Sequence, residues 1–145
     1  MTPDVNVLVA ASRTDHPHFD TARAWLEESL VQAAAGQGLL LLPMVVASFL
    51  RLVTHPKIFV SPTPVAAAVG FIDALLAAPG VRMPEAGAEW PRLRALCLDK
   101  DLRANDIPYA WLAAAVQHSG DHLVSFDSDF RKLLKRSELT LLPSA

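Results

Sequence analysis

Short apolar runs separated by stretches of helical period constrain this chain more than any other feature. Leu39 to Leu42 is unbroken and apolar, as a strand covered on both faces requires, and Pro43 closes it like a strand-to-helix junction. Ahead of it, from Pro17 to Ala35, Phe19, Ala22, Trp25, Leu26, Leu30 and Val31 recur at helical spacing until Gly36-Gln37-Gly38 stops the pattern. After it, Met44 to Val53 reads as a helix ending before His55-Pro56, because the residue before proline is pushed out of the α region. The alternation continues with a helix over Pro64–Ala78, a brief strand at Val81–Met83 and a helix over Ala86–Arg103. A further helix is expected from Ile107 to about His118, N-capped at Asn105-Asp106, then a strand at His122–Phe126, a helix over Ser128–Lys135 and a strand at Leu139–Leu142. Strands separated by helices predict an α/β fold with a mostly parallel sheet, since parallel strands need crossover connections.

With 145 residues, 52% of them apolar and 19% charged, the chain is expected to form one domain over residues 1–145 with a core of its own. The single cysteine, Cys97, rules out an internal disulfide and is read as a buried, inert thiol. Val65 to Ala78 is too short to cross a membrane and carries Asp73, and Met1 is followed by Thr-Pro-Asp rather than a basic and then apolar leader. A cytoplasmic protein is the expectation. The net charge of −2 gives no global signature of a nucleic-acid binder, although basic residues gather around Arg51, His55 and Lys57, at Arg92 and Arg94, and in Arg131, Lys132, Lys135 and Arg136. Each cluster alone is read as a solvated face. His16 and His18 flank Pro17 in what reads as an exposed turn, and Trp25, Trp90 and Trp111 read as core or interface anchors.

In open α/β sheets ligands bind beyond the carboxyl ends of strands, which draws attention to His122-Leu-Val-Ser-Phe-Asp-Ser-Asp-Phe130. An apolar strand there delivers Asp127 and Asp129 to the sheet edge, where they serve either as helix caps or as a charged site. Asp4, in Asp4-Val5-Asn6-Val7-Leu8-Val9, is by itself a turn or cap residue, and propensity favours a strand over Val5–Ala10.

Taken together, the D-x-N-V-L-V start, the F-L-R-L-V-T-H-P segment near residue 50, the N-D-I-P-x-A helix start near 107 and the terminal F-D-S-D-F resemble the PIN domain of VapC toxins, in order and spacing, from Asp4 to about Leu142. The resemblance implies a three-layer sandwich, a central mostly parallel sheet flanked by helices. Strand one is then only residues 1 to 3, with Asn6–Ala11 helical. It also implies a Mg²⁺- or Mn²⁺-dependent endoribonuclease toxin. Carboxylates from distant segments would hold the ion, and hard divalent ions prefer such oxygen ligands.

Residue by residue, Asp4 and Asp127 match metal carboxylates and Asp129 is an accessory catalytic match. Asn6, Arg51 and Asn105 fall at positions implied to contact substrate, as does Thr54 at the mouth. Two positions depart from the pattern. Ser48 stands where a Glu is usual, and Tyr109 stands where N-D-I-P-D-A would place the third Asp. A neutral phenol is a poor ligand for Mg²⁺, so the site is expected to be impaired. Asp106, three residues before Tyr109, either caps its helix or substitutes as a metal ligand. The partners implied are a VapB-type antitoxin with a basic segment, RNA, and a second copy of the chain, with no membrane. The alternative is a PIN-fold protein that binds its antitoxin and cuts no RNA.

Overall fold

The computed structural model describes residues 1–144. Five short strands alternate with six helices: β1 (Thr2–Pro3), α1 (Val5–Ser12), α2 (Phe19–Gln32), β2 (Leu39–Leu40), α3 (Pro43–Val53), α4 (Val65–Leu76), β3 (Val81–Arg82), α5 (Trp90–Asp99), α6 (Asp106–His118), β4 (Leu123–Ser125) and β5 (Leu139–Leu141). All three kinds of strand pairing, β1 with β4, β4 with β5 and β2 with β3, are parallel. The Leu40 amide donates to the Met1 carbonyl at 2.9 Å and joins the two ladders side by side. The spatial order is therefore β3-β2-β1-β4-β5.

This order has a direct consequence for function. From β1 the chain steps outward to β2 and β3, then returns past β1 to form β4 and β5. The direction of winding reverses between β1 and β4, and at such a switch point the connecting loops part and leave a crevice beyond the strand ends. Right-handed crossovers place α1 to α4 and α5 to α6 on opposite faces of the sheet, giving the helix-flanked parallel sheet that the resemblance implied.

Val5 to Ser12 is helical although its valines favour a strand. Asp4 has extended φ/ψ of −72° and 162°, and its side chain accepts from the Val5 amide, so the helix is started by its cap. Val7 to Ala11 are then buried on every side, which lets α1 run through the core between α2 and α3. Leu39, Leu41, Phe49, Val53, Leu123 and Val124 complete the centre.

The C-terminal half departs more from expectation. The helix expected over 86–103 is shortened to Trp90–Asp99, because left-handed backbone at Gly87 (φ 115°) and Asp101 (φ 48°) breaks it at both ends. It buries none of its residues. Cys97 is therefore half-buried rather than enclosed, and Trp90 and Leu98 are 60% and 64% exposed. The helix expected over 128–135 is a 3₁₀ turn, Ser128–Lys132, followed by a second at Arg136–Glu138. Among the described residues no helix is long and apolar enough to cross a membrane.

Candidate active site

Asp4 follows β1 and Asp127 follows β4, so the reversal between these two neighbouring strands brings together opposite ends of the sequence. Ser125, the last residue of β4 and fully buried, ties them. Its hydroxyl donates to Asp4 Oδ2 at 2.7 Å across 121 residues of sequence, and accepts from the Asp127 amide at 2.9 Å and from Asn6 Nδ2 at 3.2 Å. The Asn6 carbonyl oxygen accepts from the Phe126 amide at 3.4 Å. Both ends of the Asn6 side chain thus brace the end of β4.

Asp4 is only 6% exposed. Burial pushes its carboxyl above the ordinary range; the hydrogen bonds from Ser125 and Val5 pull it partly back, and the charge of Asp127 adds to the rise. Asp127 is both a cap and a member of the cleft. Its Oδ1 accepts from the Asp129 amide at 2.9 Å, starting the 3₁₀ turn, while its Oδ2 accepts from the Tyr109 hydroxyl at 2.7 Å. The Tyr109 ring lies 5.0 Å from that of Phe130. Its phenol is pushed up to about 12, first by the bond to Asp127, then by burial and by the charges of Asp127, Asp129 and Asp4. Tyr109 is therefore a neutral hydrogen-bond donor pointed at a carboxylate.

These groups open into a cleft of about 410 Å³ lined by Asp4, Asn6, Ser48, Tyr109 and Asp127, with Met44, Trp111 and Phe130 among its apolar walls. Both positions that depart from the PIN pattern, Ser48 from α3 and Tyr109 from α6, line the same cleft as the retained aspartates.

The remaining sequence candidates lie outside the lining. Asp106 is exposed in the first turn of α6, where the helix begins one residue earlier than expected; Asn105 holds the cap position without a side-chain bond. A residue three places before Tyr109 sits one turn further out along α6, and here that turn meets solvent. Asp129 is exposed beside the cleft, 4.0 Å from the Lys132 ammonium. Arg51 is exposed on α3, and the Thr54 hydroxyl is turned back to the Leu50 carbonyl at 2.7 Å.

The donor set fits a hard divalent cation in reduced form. Asp4 and Asp127 supply charged oxygens, Asn6 and Ser48 neutral ones, and Mg²⁺ commonly takes one or two carboxylates while keeping several waters. Among the described residues no group of three or more His, Cys, Asp or Glu side chains gathers in a metal-binding arrangement. A closed all-protein cage is thus not built.

Sequence reasoning missed Ser125, the hub of the site, because a serine in an apolar strand carries no local mark. It also missed His18, whose ring stacks on Phe126 at 4.8 Å and joins the start of α2 to the end of β4.

The sequence matches the family model described as PIN domain over residues 1–135. Among curated proteins it is 40% identical over 133 residues to ribonucleases VapC31 and VapC25 of Mycobacterium tuberculosis, covering 89% of this chain and 89% of VapC31. It is 38% identical over 134 residues to ribonuclease VapC48 of the same organism, covering 90% of each. Among solved structures, the VapBC2 complex of Rickettsia felis bound to a promoter DNA fragment aligns with a TM-score of 0.67 at 16% identity. M. tuberculosis VapC20, a sarcin-ricin loop cleaving toxin, aligns at 0.65 and 14%; 98% of each chain is covered in both cases. At those identities the structural likeness speaks for the fold.

Proposed function

This chain belongs to the PIN-domain family, among the VapC ribonucleases, and on that premise we propose that it is a VapC-type toxin, a cytoplasmic single-domain endoribonuclease of a type II toxin–antitoxin pair. The observation that carries the proposal is the convergence of Asp4 and Asp127, through Ser125, on the cleft at the sheet's switch point. A bound Mg²⁺ or Mn²⁺ would supply an activated water and charge neutralisation at the scissile phosphate.

The chain's own residues set the stage for that chemistry. Asp4 and Asp127 would hold the ion, and Ser125 and the Val5 amide keep Asp4 fixed and favour its charged form. Asn6 braces the turn that carries Asp127, a positioning role that joins or replaces the substrate contact implied by resemblance. Asp129 orders Asp127 through its amide. Ser48 and Tyr109 contribute no charge, so the ion would be held more weakly than by four carboxylates. The reading in which the chain binds an antitoxin and cuts nothing rests on those two substitutions alone. The retained aspartate pair, and relatives named ribonucleases along nearly the whole chain, favour the nuclease.

The partner proposed is a VapB-type antitoxin whose basic segment enters the acidic cleft, as charge complementarity favours. A homodimer is also proposed, supported by exposed Val65 and Val69 on α4. The deciding experiment incubates purified protein with total RNA and Mn²⁺ or Mg²⁺. Cleavage that disappears with chelator and in Asp4→Ala, and rises in Tyr109→Asp, is the expected result. No cleavage by either the native chain or Tyr109→Asp would sink the proposal.

A further inference from the structure

The basic residues at the C-terminal end, read from sequence as a solvated face, are gathered by the fold around a second cavity. Its volume is about 490 Å³ and its lining is Arg131, Leu134, Lys135, Arg136, Leu139 and Leu141. No carboxylate contributes to that lining. Among the described residues none of Arg131, Lys135 and Arg136 forms an ion pair. Glu138, two residues from Arg136, instead accepts from the Lys135 backbone amide at 2.9 Å and the Gln117 side-chain amide at 3.2 Å. With Lys132, this stretch holds four of the chain's 13 Lys and Arg residues, in a protein of net charge −2. Lys132 is paired with Asp129, which leaves Arg131, Lys135 and Arg136 as neighbouring cations whose mutual repulsion an anion relieves.

The position of the cavity indicates which anion. Phe130 lines the acidic cleft and Arg131, the next residue, lines the basic cavity. The 3₁₀ turn Ser128–Lys132 therefore contributes to both, and it also carries the 4.0 Å pair Asp129–Lys132. From Asp127 to Arg131 the backbone spans at most about 14 Å even fully extended. A polyanionic strand with a phosphate at the aspartates has its neighbouring phosphates within reach of the cations. The lining offers cations and leucines with no aromatic ring for a base to stack on, which suits contact with phosphate oxygens and sugars more than with bases.

We propose that Arg131, Lys135 and Arg136 form a backbone-phosphate subsite that holds the RNA strand beside the Asp4–Asp127 cleft. The subsite rests on the nuclease reading for its ligand, and the test separates the two. Binding of a labelled single-stranded RNA of about 20 nucleotides is followed by fluorescence anisotropy with chelator present, so that no cleavage occurs and only the protein's own cations attract the strand. The variant Arg131→Ala/Lys135→Ala/Arg136→Ala changes exposed side chains, and its melting temperature verifies folding. Arg92→Ala/Arg94→Ala/Lys100→Ala, likewise at exposed side chains, serves as the charge-matched control.

Single-stranded nucleic acid gives a slope of log K against log salt of about −0.7 per phosphate neutralised, so losing three contacts flattens the slope by about 2. Between about 50 and about 200 mM salt the native chain should lose about 16-fold more affinity than the triple variant. At about 50 mM the triple variant should bind at least about tenfold more weakly, while the control stays within about twofold. An unchanged slope in the triple variant overturns the subsite, as does an equal loss in the control. So does a triple variant that keeps RNA binding but loses binding to poly-glutamate, which would assign the patch to an acidic protein segment. Native protein that binds RNA through the patch yet never cleaves it with Mn²⁺ refutes the nuclease and leaves the subsite standing.

Discussion

Replacing Tyr109 tests the central physical claim about the site, that a phenol bonded to Asp127 competes with a cation for that carboxylate. The bond is 2.7 Å from Tyr109 Oη to Asp127 Oδ2, and a hydrogen bond to a charged group contributes about 1.5–3 kcal/mol net. Tyr109→Phe removes the bond while keeping the ring against Phe130. If the cation must displace the hydroxyl, metal affinity should tighten by that amount, about tenfold to 150-fold. Tyr109→Asp adds a third carboxylate. Its attraction for a divalent ion at about 4 Å is roughly 8 kcal/mol at an effective dielectric of 20, and repulsion from Asp4 and Asp127 cancels most of it, so the released hydrogen bond again sets the scale.

Thermal unfolding with added Mn²⁺ reads this directly. At a concentration that half-saturates the native chain, the metal stabilises it by about 0.4 kcal/mol, against about 2.7 kcal/mol for a variant binding about 100-fold more tightly. For a chain of this size that is a rise of about 1 °C against about 5–10 °C. Calorimetric titration of Mn²⁺ gives the affinities independently. If Tyr109→Phe binds Mn²⁺ no more tightly than the native chain, the hydroxyl does not compete and the reasoning fails. If Tyr109→Asp also gains nothing, position 109 is not part of a metal site.

Three further outcomes follow from other parts of the structure. Burial raises the Asp4 carboxyl, so its contribution to stability is fully present below the unfolded value near 3.8 and is lost as pH rises through the native value. With chelator present Asp4→Asn should therefore melt above the native chain at pH 7, with the gap closing on acidification; a gap that widens toward low pH would contradict the assignment. Buried Arg13 donates to the Ser61 carbonyl and the Thr63 hydroxyl, both at 2.9 Å, and lies 3.8 Å from the centre of the Phe59 ring. Arg13→Ala should cost about 2–4 kcal/mol by denaturant unfolding, and Arg13→Lys should recover only part, since an ammonium lacks the guanidinium's fork; full recovery by Lys would show that charge alone matters. Gly80 has φ +79° and a Cβ there would overlap the Ala33 carbonyl oxygen, so Gly80→Ala should lose at least about 2 kcal/mol. A loss under about 0.5 kcal/mol would mean that the Ala33 segment yields freely.

The alternation of apolar runs and helical periods was enough to derive the order of elements, because each period reports which faces of a segment are covered. Leu39–Leu42 and the helix ending before His55-Pro56 show this. Local pattern failed where the answer depended on a single contact or backbone angle. Val5–Ser12 has the residues of a strand and is a helix because Asp4 caps it and the core encloses it, and only resemblance to PIN domains anticipated that. The helix over 86–103 was overestimated because periodicity does not record the left-handed backbone at Asp101.

The identities of Asp4, Ser48, Tyr109 and Asp127 could be read from motifs, since departures from a pattern are visible letter by letter. Their meeting could not. It depends on β1 and β4 being neighbours at the point where the winding reverses, which is a property of strand order and not of any segment. The bond from Tyr109 to Asp127, the service of Ser125 to three partners, and the gathering of Arg131, Lys135 and Arg136 around one cavity have the same origin. Covalent order dictates which elements form, through short-range periodicity and capping. The charges and hydrogen bonds that decide the chemistry act over a few ångströms between residues far apart in sequence, so only the tertiary packing determines them.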